Sequence, residues 1–109
     1  MSFTVVILKS AEQDIKALKH YVARQFGSET WQSSLKTLKE SIQNLQTYPY
    51  AGKVPEELHA LNPSQYRQII SGMNRIIYEI RQETIYIHLV CDNRRDMQDL
   101  LNRRIMRCE

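Results

Sequence analysis

Glycine, proline and cysteine are all scarce in this chain, which has three, three and two of them among 109 residues. The glycines stand far apart, so the glycine-rich loops that bind phosphate in nucleotide-binding folds are excluded. Two cysteines with no secretory leader before them do not make a disulfide framework, and we therefore expect a reducing, cytoplasmic location. No apolar run approaches the roughly 18 residues that a membrane-spanning helix needs, so no membrane association is expected.

Excess charge is also limited, because 15 Lys and Arg stand against 12 Asp and Glu and leave a net charge of +3. An apolar content of 42% and a charged content of 25% are ordinary for a globular protein, and the length suits a single domain, residues 1–109. All eight basic residues after position 66 are arginines, but six acids share that stretch. Such balance favours ion pairing within the chain over binding along a phosphate backbone.

Hydrophobic spacing divides the first half of the chain into one strand and two helices. Residues Phe3–Leu8 are compact and β-branched, which predicts a strand buried on both faces. Ser10 opens a capping-box pattern at the start of a helix that ends at Gly27, and Ser28 is placed to cap a second helix. The two helices are expected to pair as an antiparallel hairpin.

The second half of the chain reads as strands followed by a helix. A loop from Lys53 to Gln65 leads into three predicted strands at Tyr66–Ile70, Asn74–Arg81 and Thr84–Asp92. Their short connections imply an antiparallel meander, with the last strand central and the N-terminal strand completing the sheet at one side. Helical spacing then predicts a short C-terminal helix on Met97, Leu100, Leu101 and Ile105. The expected fold class is α+β.

No strong catalytic or metal-binding motif accompanies these elements, and we expect neither a metal nor a cofactor. Simple alternation in the last strand predicts Ile85, Ile87 and Leu89 on one face and His88 on the other. His88 and Cys91 are then on opposite faces and are not expected to share a metal. As a general base, His88 would need a partner and a pocket that the sequence does not reveal.

The order of strand, helical hairpin, meander and C-terminal segment resembles the RelE/ParE toxin superfamily of bacterial type II toxin–antitoxin modules. The resemblance covers nearly the whole chain. Residues Gly72–Tyr78 are similar to the family's glycine–arginine–aromatic strand. Residues Ile87–Asp96 are similar to the strand-end Arg-x-Asp pattern of ParE members.

Two activities follow from the resemblance. ParE-like members poison DNA gyrase without a hydrolytic site, which implies an inhibitor of replication and growth that stabilises plasmids. RelE-like members are ribosome-dependent mRNA endonucleases, and on that alternative the catalytic residues are Arg75, His88 and Arg94. We favour ParE, because Glu56-Glu57 stands where the RNase branch is lysine-rich and the last helix lacks Tyr, His and Lys. The residues implied to contact gyrase are Arg94, Arg95, Arg103, Arg104 and Arg107.

The resemblance also implies a cognate antitoxin in a hetero-oligomeric complex. Its flexible C-terminal segment is expected to fold across the helical hairpin and the sheet. Trp31, Leu38 and Tyr48 are the residues expected to line that antitoxin-binding groove, with core packing as the competing interpretation for the first two. No sequence-specific binding of nucleic acid is expected. One feature departs from the ParE pattern, since Asp92 stands where that branch carries a histidine.

Overall fold

The computed structural model describes residues 3–55 and 66–92 of the chain. These residues form six elements, β1 (Thr4–Ile7), α1 (Lys9–Phe26), α2 (Ser28–Thr47), β2 (Tyr66–Ser71), β3 (Asn74–Arg81) and β4 (Thr84–Asp92). The α+β class, the paired helices and the three late strands are confirmed. The predicted C-terminal helix lies outside the described residues.

The four strands form one mixed sheet in the order β1-β4-β3-β2. β2, β3 and β4 pair antiparallel with their neighbours in the chain, across turns whose first residues, Gly72 and Gln82, have φ of 63° and 54°. That left-handed backbone suits two-residue turns between antiparallel strands. β1 pairs with β4 in parallel, so the sheet is not a simple meander. The reason is that the helical hairpin carries the chain from β1 to β2 at the opposite edge.

β1 lies at one edge of the sheet and β4 is central, as expected. The prediction that β1 is buried on both faces is wrong, because Thr4, Val6 and Ile7 are exposed and Val5 is half-buried. An edge strand packs only one face against the core, and here Phe3 and Val5 make that contact. The β-branched composition of the strand therefore reflects its extended backbone rather than its burial.

The capping interactions predicted for the two helices are also wrong. α1 begins at Lys9 after Leu8, and its start has no side-chain cap. Ser10 instead donates its hydroxyl hydrogen to the carbonyl oxygen of His88, at 3.3 Å, and so connects the helix to β4. Gly27 ends α1 as predicted, with φ of 96°, but the same residue precedes α2, so that Ser28 is the first helical residue and not the cap.

The helices cover one face of the sheet and bury an apolar core there. Tyr78 and Ile87 are fully buried at the centre of this core. The other buried members of the core are Ala11, Trp31, Leu38, Leu45, Ile76, Ile85 and Val90.

A β-bulge in β4 decides which residues face the helices. The pairing partner of β3 steps from Leu89 directly to Ile87, so His88 is the extra residue. Beyond the bulge the alternation is shifted by one residue, and Val90 rather than Leu89 joins the helix-side core. The same shift brings Cys91 to the face that His88 occupies, since Cys91 pairs with Arg75 and His88 contacts Glu79 on β3. The prediction that His88 and Cys91 lie on opposite faces is therefore wrong.

The hydroxyl of Tyr78 holds the segment after α2 against the sheet. It donates to the carbonyl oxygen of Pro49 at 2.8 Å and accepts from the backbone N–H of Gly52 at 3.0 Å. Burial raises the pKa of Tyr78, against the opposing effects of the Gly52 N–H and the charge of Arg67. The group is thus a protonated donor throughout the neutral range.

Tyr78→Phe is expected to lower the free energy of unfolding by about 1.5 kcal/mol, because it leaves a buried carbonyl and a buried N–H without a partner. Urea denaturation followed by circular dichroism measures the loss. Tyr86→Phe is the control, since the Tyr86 ring is half-buried at Arg81 on the other face. If the two variants are equally stable, the hydroxyl of Tyr78 does not hold the segment.

Candidate functional site

The face of the sheet away from the helices carries a polar cluster centred on Glu79, which we call the Glu79 cluster (Tyr66, Glu79, Arg81, Tyr86 and His88). Glu79 Oε2 accepts from Nε of Arg81 at 2.8 Å, and Oε1 accepts from Nη2 of Arg81 at 3.0 Å. Nε2 of His88 lies 2.8 Å from Oε1. An ionised carboxylate can only accept, so the proton of that contact belongs to Nε2.

Two tyrosines complete the Glu79 cluster. The ring of Tyr66 on β2 meets the imidazole of His88 edge to face, with centroids 5.3 Å apart. The guanidinium of Arg81 lies 4.4 Å from the ring centroid of Tyr86 on β4. The aromatic contacts hold both partners of Glu79, Arg81 and His88, in position. Three strands therefore contribute to one cluster.

The charge of Glu79 is set by opposing effects. Burial favours the neutral acid and is the largest single influence on its pKa. The hydrogen bonds and charges of Arg81 and His88 together outweigh it and lower the pKa of Glu79 below its ordinary value of 4.5. Hydrogen bonding to Glu79 in turn raises the pKa of Arg81. At neutral pH Glu79 is a carboxylate with both oxygens occupied, which is a poor arrangement for a general base.

The lowered pKa of Glu79 predicts a dependence of stability on pH. A carboxylate with a depressed pKa in the folded state contributes stability above its unfolded pKa, and that contribution is lost as pH falls through the folded value. We expect the urea midpoint of the native chain to fall as the pH drops below the ordinary value of 4.5 and passes through the lowered pKa of Glu79. Glu79→Gln should flatten this part of the profile. A Glu79→Gln profile parallel to that of the native chain would contradict the lowered pKa.

The structure places two of the three residues predicted for the RNase alternative, Arg75 and His88, on the same face of the sheet. Arg75 shares the sheet face of His88, where Nη2 of Arg75 donates to Oε1 of Gln68. Arg75 is 9% exposed and belongs to the packed part of this face. Arg94, the third residue, lies outside the described residues, as do Arg95, Arg103, Arg104 and Arg107.

Sequence reasoning missed the partner of His88. Ion pairing between acids and arginines was expected in this half of the chain, and the contact of Glu79 with Arg81 is one such pair. The signal for the histidine contact was available in part, since Glu79 and Arg81 alternate on one strand with Arg75. The pairing register was not available from the sequence. It sets Glu79 opposite Tyr86 and leaves His88 as the extra residue, so it depends on the bulge.

A groove lies between α1, α2 and the β2–β3 turn, with a volume of about 640 Å³. Tyr21 and Phe26, which meet edge to face at 6.3 Å, are 47% and 61% exposed at this groove, and Met73 is 64% exposed on the turn. A second cavity of about 420 Å³, between α1 and the end of β4, shares Tyr21 with it. Together these cavities make a continuous, largely apolar depression along α1.

The residues predicted to bind an antitoxin are not all accessible. Trp31 and Leu38 are 4% and 1% exposed within the core, so packing accounts for their spacing and a contact with a partner would require the core to open. Tyr48 is 66% exposed just after α2. Antitoxin binding by these three residues stays a prediction.

Over residues 3–55 and 66–92, no group of three or more His, Cys, Asp or Glu side chains is placed to hold a metal ion. The same ranges contain no helix that is long and apolar enough to cross a membrane.

Comparison with known proteins identifies the family of this chain. Residues 5–97 match the family model described as the ParE toxin of the type II toxin–antitoxin system parDE. The chain belongs to the ParE toxin family. A search of curated proteins finds no significant match.

Solved structures agree with the family at the level of the fold. A chain of the chromosomal ParDE system from P. aeruginosa superposes with a TM-score of 0.69 at 16% identity, over 84% of this chain and 96% of that one. A mutant of the toxin RelE from E. coli in the free state gives 0.64 at 14% identity, over 100% of both chains. A chain of the RelBE2 toxin–antitoxin complex from Mycobacterium tuberculosis gives 0.50 at 20% identity, over 84% and 99%. At these identities the likeness extends to the fold alone, which ParE and RelE toxins share.

Proposed function

We propose that this ParE-family chain is a toxin that inhibits DNA gyrase in the cytoplasm and thereby stops replication and growth. The observation that carries the proposal is the state of the Glu79 cluster. The only carboxylate of that cluster has both oxygens bonded, and its side chain is 8% exposed. Because a carboxylate with both oxygens bonded is a poor general base, this cluster favours a toxin that acts by binding a protein over one that acts by hydrolysis. Such a toxin would also stabilise a plasmid that encodes it.

The contact with gyrase is assigned to the arginines Arg94, Arg95, Arg103, Arg104 and Arg107. Support comes from the sequence, in which Arg94 and Arg95 closely follow Asp92, the last residue of β4, and Arg103, Arg104 and Arg107 come later. Arginine forms paired hydrogen bonds with carboxylates and phosphates, so residues that follow a rigid strand are well placed to bind a charged target. The mechanism that we infer is stabilisation of the cleaved gyrase–DNA complex.

The cognate antitoxin is proposed to occupy the groove beside α1. Exposed Tyr21, Phe26 and Met73 offer the kind of apolar surface that an amphipathic segment buries when it folds on its partner. The P. aeruginosa and M. tuberculosis chains come from a toxin–antitoxin system and a toxin–antitoxin complex, which supports a hetero-oligomeric assembly. Antitoxin bound along α1 would lie next to Asp92, which lines both cavities.

Induced expression without an antitoxin tests the proposed target in cells. We expect filamentation and induction of the DNA-damage response, because a trapped gyrase leaves broken DNA. Arg94→Ala with Arg95→Ala should abolish the response. Arg24→Ala, at an exposed arginine in the last turn of α1, is the control for loss of a surface arginine and should leave the response unchanged. Growth arrest without a DNA-damage response would contradict gyrase as the target.

A ribosome-dependent RNase is the second candidate, and one observation favours it. Glu79 contacts both His88 and Arg81, so the carboxylate–histidine pair has a guanidinium beside it, and Arg75 lies on the same sheet face. In this arrangement His88 would exchange the proton and the arginines would stabilise charge on a phosphate. Primer extension on cellular mRNA tests it, since His88→Gln should remove cuts positioned by codon. Absence of cuts in cells arrested by the native chain would exclude this function.

A further inference from the structure

The bulge in β4 is bonded to two side chains of α1. The hydroxyl of Ser10 donates to the carbonyl oxygen of His88, the extra residue, at 3.3 Å. The backbone N–H of Val90 donates to Oδ2 of Asp14 at 3.1 Å. Ser10 and Asp14 are four residues apart, so they lie on the same face of the helix. A bulge interrupts the ladder of hydrogen bonds between two strands, and here α1 supplies partners for the backbone on both sides of the interruption.

The apolar residues that follow the bulge do not by themselves require it. Leu89 and Val90 are both apolar and both buried, and Val90 is the one that belongs to the helix-side core. In a regular strand, the alternation that turns Ile87 towards the helices would turn Leu89 there as well and leave Val90 on the opposite face. Either arrangement buries an apolar side chain under the helices. The hydrogen bonds from α1 can therefore decide between the two.

The bulge also sets the position of His88 on the face of the sheet away from the helices. Glu79 pairs with Tyr86, and regular pairing that continued from there would set His88 opposite Ile77. Because Ile77 pairs with Leu89 instead, His88 is displaced along the strand towards Glu79. Nε2 of His88 is then 2.8 Å from Oε1 of Glu79. The contact at the centre of the Glu79 cluster thus depends on the bulge.

We propose that Ser10 and Asp14 position His88, and that α1 thereby controls the Glu79 cluster on the opposite face of the sheet. When both hydrogen bonds are made, β4 is bulged and His88 contacts Glu79. When they are broken, β4 adopts regular pairing and that contact is lost. The bulge is the two-state element through which the two faces are coupled. Asp14 also lines the cavity between α1 and the end of β4, so its hydrogen bond connects that cavity with the cluster. The inference does not depend on gyrase, since it uses no residue assigned to that contact.

Titration of the Glu79 carboxyl carbon, followed by NMR on the full chain, tests this coupling. Burial raises the pKa of Glu79, whereas Arg81 and His88 lower it. Loss of the His88 contact in the double variant Ser10→Ala with Asp14→Ala should therefore move the pKa of Glu79 up, towards its ordinary value of 4.5. Removing the negative charge of Asp14 would by itself lower the pKa of another acid. The expected rise thus has the opposite sign from a direct effect of charge.

Three further variants serve as controls. Glu12→Ala removes an exposed acid of the same helix and should leave the pKa of Glu79 unchanged. Asp14→Asn retains an oxygen that accepts from the N–H of Val90, so it should keep the native value. Ser10→Ala alone should give a smaller rise, and it decides the question if the double variant does not fold. Near-ultraviolet circular dichroism shows which variants are folded.

The rings of His88 and Tyr66, whose centroids are 5.3 Å apart, give a second readout. The nuclear Overhauser contact between them should be lost in the double variant and retained in Glu12→Ala. A pKa of Glu79 in the double variant that equals the value in Glu12→Ala, or lies below it, would overturn the proposal. An equal rise in Asp14→Asn would assign the effect to charge and overturn it too. A rise with an unchanged contact between the two rings would do the same, because the shift would not then come from His88.

Discussion

Gly52→Ala is expected to lower the free energy of unfolding by about 3 kcal/mol. A Cβ atom at Gly52 would lie 2.6 Å from the hydroxyl oxygen of Tyr78 and even closer to the carbonyl oxygen of Gln68. Moving either oxygen away would break a hydrogen bond, because the Tyr78 hydroxyl donates to Pro49 and the Gln68 carbonyl accepts from Lys53. The expected effect combines overpacking, worth about 1–3 kcal/mol, with the loss of a buried hydrogen bond.

Urea denaturation followed by circular dichroism measures the effect of Gly52→Ala, with Gly72→Ala as the matched control. Gly72 has φ of 63°, and nothing lies within 4 Å of a Cβ placed there, so its replacement costs only the backbone strain, about 1 kcal/mol. A Gly52→Ala variant as stable as Gly72→Ala would show that the segment after α2 can move away from β2. Residues Tyr48–Lys53 would then not form a rigid turn.

Glu79→Gln is expected to lower the free energy of unfolding by about 2.5 kcal/mol. Removing one partner of a buried ion pair commonly costs about 3–5 kcal/mol, and the effect is reduced here because the Arg81 side chain is 58% exposed. The neutral amide also presents an N–H₂ group to donors on Arg81 or His88, which breaks at least one contact. The loss should be greatest near neutral pH and smallest at acid pH, where the native Glu79 is itself protonated.

Glu83→Gln is the control for Glu79→Gln, since Glu83 is an exposed acid in the β3–β4 turn and should change stability by less than about 0.5 kcal/mol. Activity separates the two candidate functions in the same variants. At a temperature where Glu79→Gln is folded, a gyrase inhibitor keeps its potency, whereas an RNase that depends on the Glu79–His88 pair loses its activity. A Glu79→Gln variant as stable as Glu83→Gln would show that the ion pair contributes nothing to the fold.

Periodic spacing and turn residues were sufficient to find the six described elements. The strands predicted at Asn74–Arg81 and Thr84–Asp92 have those bounds in the structure, because alternating apolar residues and tight turns are local signals. The end of α1 at Gly27 was also predictable from a local signal, because glycine adopts the positive φ that ends a helix.

Features that depend on the packing of distant residues were not predictable. The burial of β1 was overstated, because its β-branched composition does not show that only Phe3 and Val5 pack against the core. Ser10 was assigned to a cap because its neighbours fit the pattern, whereas the carbonyl of His88, distant in the sequence, takes its hydrogen bond. The bulge at His88 shifted the face of every later residue of β4. A single extra residue in a strand has no signature in the sequence alone.

Only part of the candidate site was predicted, because some of its contacts depend on the packing of residues that are distant in the sequence. His88 and Arg75 were identified as residues that could carry chemistry, and the structure places both on one face. Their central carboxylate, Glu79, was missed as a partner of His88 because that contact crosses two strands at the bulge. The exposure of Tyr21 and Phe26 could not be derived either, since helical spacing alone does not show that the groove beside α1 is left open.

A gyrase assay on the purified chain tests the central claim most directly. Relaxed plasmid, gyrase and ATP are incubated with the native chain and with Glu79→Gln, while a translation extract given the same proteins is examined for cut mRNA. We expect both proteins to abolish supercoiling and to cause linear plasmid to accumulate, with no cuts positioned by codon. Normal supercoiling at a molar excess of the native chain, together with mRNA cuts that Glu79→Gln fails to make, would contradict it.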